Sequence, residues 1–286
     1  MKNLKNIALI LLPATMICFS ILWEFGNEKY IYHLFTEEGI SPTKIFEVIK
    51  YCLYEIMTLL YVIAPVVYFS STDQGMKNKV YSLLRYCFII SFLFAIPNIL
   101  LYLSRGVQFD SLRLWAIPFR YAIFIFISIV FWTVKPDDAV PPITLSDHHM
   151  VAYTTTGHRF LHHIVDTIFF YSITFKWTDS RINEGLSPLE TAIVDTLFST
   201  LLMSIYYFIS EAMFRQTLGK ILTGSCTVAV DKRMSTGLVL KRTLCRLIPF
   251  DSFSFLSGRN WHDKVSGTAV VYQNSWEDIE FEGERQ

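Results

Sequence analysis

RFLHHIVD, residues 159 to 166, opens an apolar run with an arginine and places an aspartate deep inside it. On a helix Arg159 and Asp166 stand almost two turns apart on one face, and His162 and His163 fall on the same side between them. Phe160, Leu161, Ile164, Val165, Ile168 and Phe169 back this stripe. Ionisable groups in so apolar a helix need polar neighbours, so the rest of the chain is read for what could supply them.

The composition places that helix in a membrane. Of 286 residues, 52% are hydrophobic and only 17% charged, and the mean hydropathy is +0.37. This is the profile of a multi-span membrane protein. Twenty-five basic residues balance 25 acidic ones, which removes the overall basic field that nucleic acid would require. Cys18, Cys52, Cys87, Cys226 and Cys245 stand singly, without metal-knuckle or disulfide spacing, and read as packing residues.

Lys2 and Lys5 precede Ile7 to Trp23, a run with the charge order of a signal peptide but without a small-x-small cleavage pattern, and it is taken as a first span. Ser41-Pro42 starts a second, Ile45 to Phe69, containing Glu47, Lys50 and Glu55. After the Asp73-Gln74-Gly75 turn, Val80 to Leu103 forms a third, with Pro97-Asn98 as an expected kink. Leu114 to Val134 is a fourth, with Trp115 and Trp132 at interfacial positions. Lys135 to Gly157 (with PDDAVPP) reads as a linker. The fifth span runs from about His158 to Trp177, and the sixth from Pro188 to about Ser210, with Thr191, Asp195 and Ser199 at four-residue spacing. Beyond Glu211 the apolar stretches are too short to span and are interleaved with Arg215, Lys220, Lys232, Arg233, Lys241, Arg242 and Arg246. The bias of lysine and arginine places both termini, the Asp73 turn, the linker and this basic tail in the cytoplasm, with the protein a multi-pass protein of the cell membrane.

The tail contains EAMFRQTLGKILTGSCTVAVD, LVLKRTLCRLIPFDSFSFL and GRNWHDKVSGTAVV. With Arg159 and Asp166, the pieces Gln216-Thr217-Leu218-Gly219-Lys220, Trp261-His262-Asp263-Lys264 and Gly267-Thr268 resemble the RDD family of membrane proteins, named for an arginine and two aspartates. The resemblance covers about Gly157 to Tyr272, and the four preceding spans lie outside it. It implies a membrane-embedded unit for which transport is suggested. Arg215 stands where the family often has a glycine, and His162 and His163 are additions to the pattern. Asp263 is the favoured second aspartate, with Asp251 and Asp195 as alternatives.

A carboxylate inside a membrane must be protonated, paired or hydrated. Asp166, with His162 or His163 and with Asp195 opposite, reads either as a proton or cation relay or as one half of a fixed ion pair with Arg159 or a basic residue of the tail. Gly219-Lys220 does not make a phosphate loop, since Phe214 stands where the first glycine is needed and Ile221 where Ser or Thr is needed; a tight turn or close packing is expected there. His148, His149, His158, His162 and His163 lack nearby cysteines, so no metal site and no cofactor is assigned. Lys241, Arg242 and Arg246, set among Leu238, Leu240, Leu244, Leu247 and Ile248, suggest an amphipathic helix in the cytoplasmic interface, with Lys241 and Arg242 toward anionic lipid; the alternative is that Arg246 or Arg242 folds inward to pair with Asp166 or Asp263. Val228 to Val230 and Thr268 to Val271 could pair as a small cytoplasmic hairpin or sheet.

The expected architecture is an all-α integral membrane protein of about six transmembrane helices with a small cytoplasmic cap. Residues 1–134 form a four-span region, 135–157 a linker, 158–272 the RDD-like unit and 273–286 a polar tail. No nucleophile elbow, zinc-protease helix, dinucleotide fingerprint or kinase set points to an enzyme. The expected function is movement of a small solute or cation, coupled to protons. The alternative is a membrane scaffold whose ion pairs are structural. The bilayer is the expected partner, nucleic acid is not, and a homo-oligomer is compatible with the sequence.

Overall fold

The computed structural model describes residues 2–26, 42–104, 111–135, 144–145, 152–174, 187–230, 234–248 and 261–273. The chain divides into two units, Met1–Asp138 with Tyr171–Thr178, and Ala139–Phe170 with Asp179–Gln286.

The first unit is built from the long apolar runs. They form α1 (Lys2–Gly26), α2 (Pro42–Ser70), α3 (Gln74–Ser104) and α4 (Ser111–Thr133). α2 begins on Pro42, whose missing N–H costs nothing in a first turn. Asp73 starts α3 by accepting from the backbone N–H groups of Gly75 at 2.9 Å and Met76 at 3.2 Å. Each helix packs on its sequence neighbour, and α4 returns to α1, so the four close into a ring. Leu9, Leu12, Tyr81, Leu84, Ile90, Ile127 and Phe131 are buried within it. Polar groups near one end are satisfied locally: Tyr81 donates to the carbonyl of Val134 at 2.9 Å, and the Lys5 ammonium lies 3.9 Å from the Tyr81 ring centre. Ile56, Leu59, Ile63 and Val66 stay exposed, as lipid-facing residues would.

The second unit holds α5 (Thr156–Thr174) as far as Phe170, with the RFLHHIVD stripe in its opening turns, and α6 (Pro188–Phe214), which follows a reciprocal capping box between Ser187 and Glu190. Then come α7 (Leu218–Leu222), β2 (Ser225–Val230), α8 (Thr236–Cys245), α9 (Trp261–Ser266) and β3 (Thr268–Tyr272), with β1 (Thr144–Leu145) preceding α5. β2 lies between β1, parallel to it, and β3, antiparallel. The expected pairing of the two β-branched runs is present, with Val228 opposite Ala269 and Thr227 opposite Val270. Of the two forms open to this pair it takes the sheet and not the hairpin, because α8 and α9 lie between the strands. Nor is the chain all-α: the fold is mostly helical with one small sheet. Part of the expected linker is structured too, since β1 joins the sheet and Tyr153 bridges to Val271.

Among the described residues three helical segments are long and apolar enough to cross a membrane, Tyr51–Ser70, Gln74–Pro97 and Leu189–Phe214, while Asn3–Cys18 and Ala122–Thr133 are shorter apolar stretches. α5 is not among them, for the physical reason that its first turns carry His158, Arg159, His162, His163 and Asp166.

Candidate functional site

The last turns of α6 end the apolar run with Ser210-Glu211, both fully buried. The chain reverses at Arg215, a left-handed C-cap at φ 57. A glycine adopts that conformation without steric cost, and here Arg215 holds it. The reversal lays α7 and β2 back against Glu211. Lys220 on α7 donates to Glu211 Oε1 at 2.5 Å and to Thr227 Oγ1 on β2 at 2.6 Å. Arg246, just past α8, reaches the same oxygen at 2.7 Å, and the Nε of Arg242 lies 3.1 Å from Oε2. One buried carboxylate therefore gathers three cations from two elements.

Arg242 extends the chain of charges. Its Nη1 donates to Asp263 on α9, and also to Thr268 Oγ1 at 2.7 Å. Asp263 in turn accepts from Arg159 Nη1 at 2.6 Å, and Arg159 Nε donates to Thr154 Oγ1 at 3.1 Å. The alternation Arg159, Asp263, Arg242, Glu211 with Lys220 and Arg246 ties α5, α6, α7, α8 and α9 together. Burial opposes charge on Asp263, but Arg242, His262 and Arg159 outweigh it and hold the carboxyl well below its ordinary range. Burial likewise opposes charge on Arg242, and Asp263 and Glu211 overcome it, so the guanidinium stays charged. Lys220 is the soft member: burial lowers its ammonium to about 8 even with Glu211 holding the proton.

Asp166, 2% exposed, stands apart from this chain. Its Oδ1 accepts from the Tyr206 hydroxyl at 3.0 Å and from the backbone N–H of Gly219 at 2.9 Å. The second bond satisfies one of the free N–H groups at the start of α7 from another helix. It requires glycine: a Cβ on residue 219 would lie 2.5 Å from His162 Cα and 2.7 Å from its carbonyl oxygen. Close packing, one of the two readings of Gly219, is thus what the turn uses, whereas Gly224 and Gly267 take positive φ. Phe169 and Phe170 pack around the Tyr206 ring.

Several sequence assignments change. Arg159 bonds Asp263 rather than Asp166, and Arg246 bonds Glu211 rather than Asp166 or Asp263. Arg242, open in the sequence between anionic lipid and an inward pair, is 1% exposed and takes the inward one, because Glu211 and Asp263 offer it two carboxylates; Lys241 remains exposed. Asp195 is exposed and cannot oppose Asp166, since it precedes Tyr206 by three turns, or about 16 Å of helix. His162 is buried and bonded to Thr223 Oγ1 at 2.6 Å and Ser225 Oγ at 3.0 Å, whereas His163 is exposed. His158 bonds the Tyr272 hydroxyl. Among the described residues no group of three His, Cys, Asp or Glu side chains could hold a metal ion. Gln216 donates to the Ser225 carbonyl at 2.8 Å, Thr217 is the N-cap of α7, and His262 lies 3.5 Å from Asp263. Asp251, His148, His149 and the Trp261 side chain lie outside the described residues. Glu211 and Tyr206 were missed. The available signal for Glu211 was an acid closing a membrane-length run just before a basic tail.

Residues 153–267 match the model of the RDD family, a span that contains Arg159, Asp166 and Asp263. No curated protein and no solved structure matches the chain.

Proposed function

We propose that the RDD-family unit works within a six-span, multi-pass protein of the cell membrane with cytoplasmic termini, moving a small solute or cation in a proton-coupled way with Asp166 as the group that exchanges the proton. The observation that carries this reading is a buried carboxylate that meets the neutral donors Tyr206 and Gly219, with Thr217 beside them, and that feels the Lys220 charge without, among the described residues, a basic side chain at ion-pair distance. Glu211 and Asp263 hold their cations in fixed pairs, and opening one would strand a buried charge at a cost of about 3–5 kcal/mol. Asp166 can gain or lose a proton or small cation without breaking such a pair. The Tyr206 hydroxyl suits both states, since it donates to a carboxylate and accepts from a carboxylic acid. No catalytic step and no cofactor is part of this reading.

The test is proton-coupled uptake into sealed vesicles holding the purified full chain. Uptake should follow an imposed pH gradient and vanish in Asp166→Asn. Flux that survives the substitution refutes the proposal. The ion-pair chain across five elements supports a second reading, a structural scaffold in which Asp166 only caps α7. There Asp166→Asn would lower thermal stability and the wild-type protein would move nothing.

A further inference from the structure

α8 is amphipathic in the reverse of the usual sense. Its buried positions are Val239, Arg242, Thr243 and Cys245, and Arg242, with Arg246 just beyond the helix, carries its guanidinium inward to Glu211. Its exposed stripe is apolar: Leu240 is 48% exposed and Leu244 55%, and Leu247 and Ile248 continue it beyond the last turn. Thr236, Gly237 and Lys241 are the other exposed residues of the helix. A helix in water shows its charges outward and its leucines inward. Here the inner face is fixed by the Glu211 and Asp263 carboxylates, so the leucines are left on the surface.

The position of α8 says what covers them. Glu211 lies one turn from the end of Leu189–Phe214, a segment long and apolar enough to cross a membrane. α8 is ion-paired to that turn, which sets it at the depth where the span leaves the hydrocarbon. α6 exposes Leu197, Leu201 and Ile205, so the apolar surface has the same solvent on both elements. We propose that α8 lies in the bilayer interface with Leu240, Leu244, Leu247 and Ile248 in the acyl boundary and Lys241 at the level of anionic headgroups. This rests on the membrane placement of α6 but not on transport. It differs from an ordinary interfacial helix in that two of its three cations serve the protein rather than the lipid.

Nitroxide labels at Leu240→Cys and Leu244→Cys, each in full-length protein with the exposed Cys18 and Cys52 replaced by Ser, test it in nanodiscs containing anionic lipid. Both positions are on the surface, so labelling leaves the ion pairs in place. The expected result is high accessibility to oxygen with exclusion of a water-soluble nickel chelate at both sites. Access of the chelate to both labels means a water-facing helix and overturns the proposal. Exclusion of both probes, with spin-spin broadening between labels, means that a second copy covers the face and overturns it equally. A Lys241→Glu variant adds a reading of lipid charge: both labels should move toward water in anionic but not in zwitterionic discs, and unchanged depth in both overturns the assignment of Lys241.

Discussion

Gly219→Ala puts the meeting of α5 and α7 under direct strain. The added Cβ would lie 2.5 Å from His162 Cα, 2.7 Å from its carbonyl oxygen and 3.0 Å from its carbonyl carbon. These are backbone atoms of a helix, so no rotamer change relieves them. Ordinary carbon contacts begin near 3.5 Å, so α7 must withdraw by roughly 1 Å. The Gly219 N–H bond to Asp166, 2.9 Å long, cannot survive that movement. Overpacking costs about 1–3 kcal/mol, and a hydrogen bond to a charged group contributes about 1.5–3 kcal/mol. The expected loss is on the order of 3–5 kcal/mol by these two terms. Thermal unfolding in a mild detergent, followed by circular dichroism, reads it as a lowered Tm. The control is Gly237→Ala, where an added Cβ meets nothing closer than Ser235 Oγ at 3.9 Å. That change should be neutral or slightly stabilising, because alanine is the better helix former. Equal Tm values for Gly219→Ala and wild type would refute the close approach and, with it, the capping of α7 by Asp166.

Three further perturbations probe the ion-pair chain. Glu211→Gln keeps the volume but leaves Lys220, Arg242 and Arg246 without their shared carboxylate, and should cost about 3–5 kcal/mol in the same unfolding assay. Asp263 is held below its ordinary range in the folded protein, so its stabilisation is complete above the unfolded carboxylate value near pH 4 and is lost as pH falls through the lower folded value. Tm should therefore fall on acidification below about pH 4, and the fall should be shallower in Asp263→Asn. Lys220 falls from 10.5 to about 8 on folding, so between those values the unfolded chain binds more protons. This group should make stability rise from about pH 8 to 10.5, a slope that Lys220→Met should remove.

The apolar run lengths, the capping residues and the β-branched segments made the helices and the two main strands readable, since each rests on local chemistry. Partner choice among the charges was not readable. Arg159, Arg242 and Arg246 had four acids within reach of any plausible fold, and only the reversal at Arg215 and the packing of α8 on α6 decide which one each meets. Arg242 shows where the helical pattern runs out: its place in LVLKRTLCRL suits both an interfacial cation and an inward partner of Asp263, and only the packed carboxylates of Glu211 and Asp263 draw it inward. Glu211 itself sits at the end of an apolar run, where an acid looks like a solvated boundary. Asp195 looked like a partner for Asp166 because it is an acid within an apolar run of membrane length, but helix rise separates it from the site by three turns. β1 escaped notice because two residues give no period.

The central claim is that Asp166 exchanges a proton while its neighbours keep theirs. Infrared difference spectroscopy of the lipid-reconstituted protein, wild type against Asp166→Asn, tests it directly through the carboxyl stretch. The account expects a band absent from the variant that appears and disappears reversibly with pH and shifts on adding the transported cation. A wild-type spectrum with no such band at any pH at which the protein stays folded would contradict it and leave Asp166 as a fixed cap on α7.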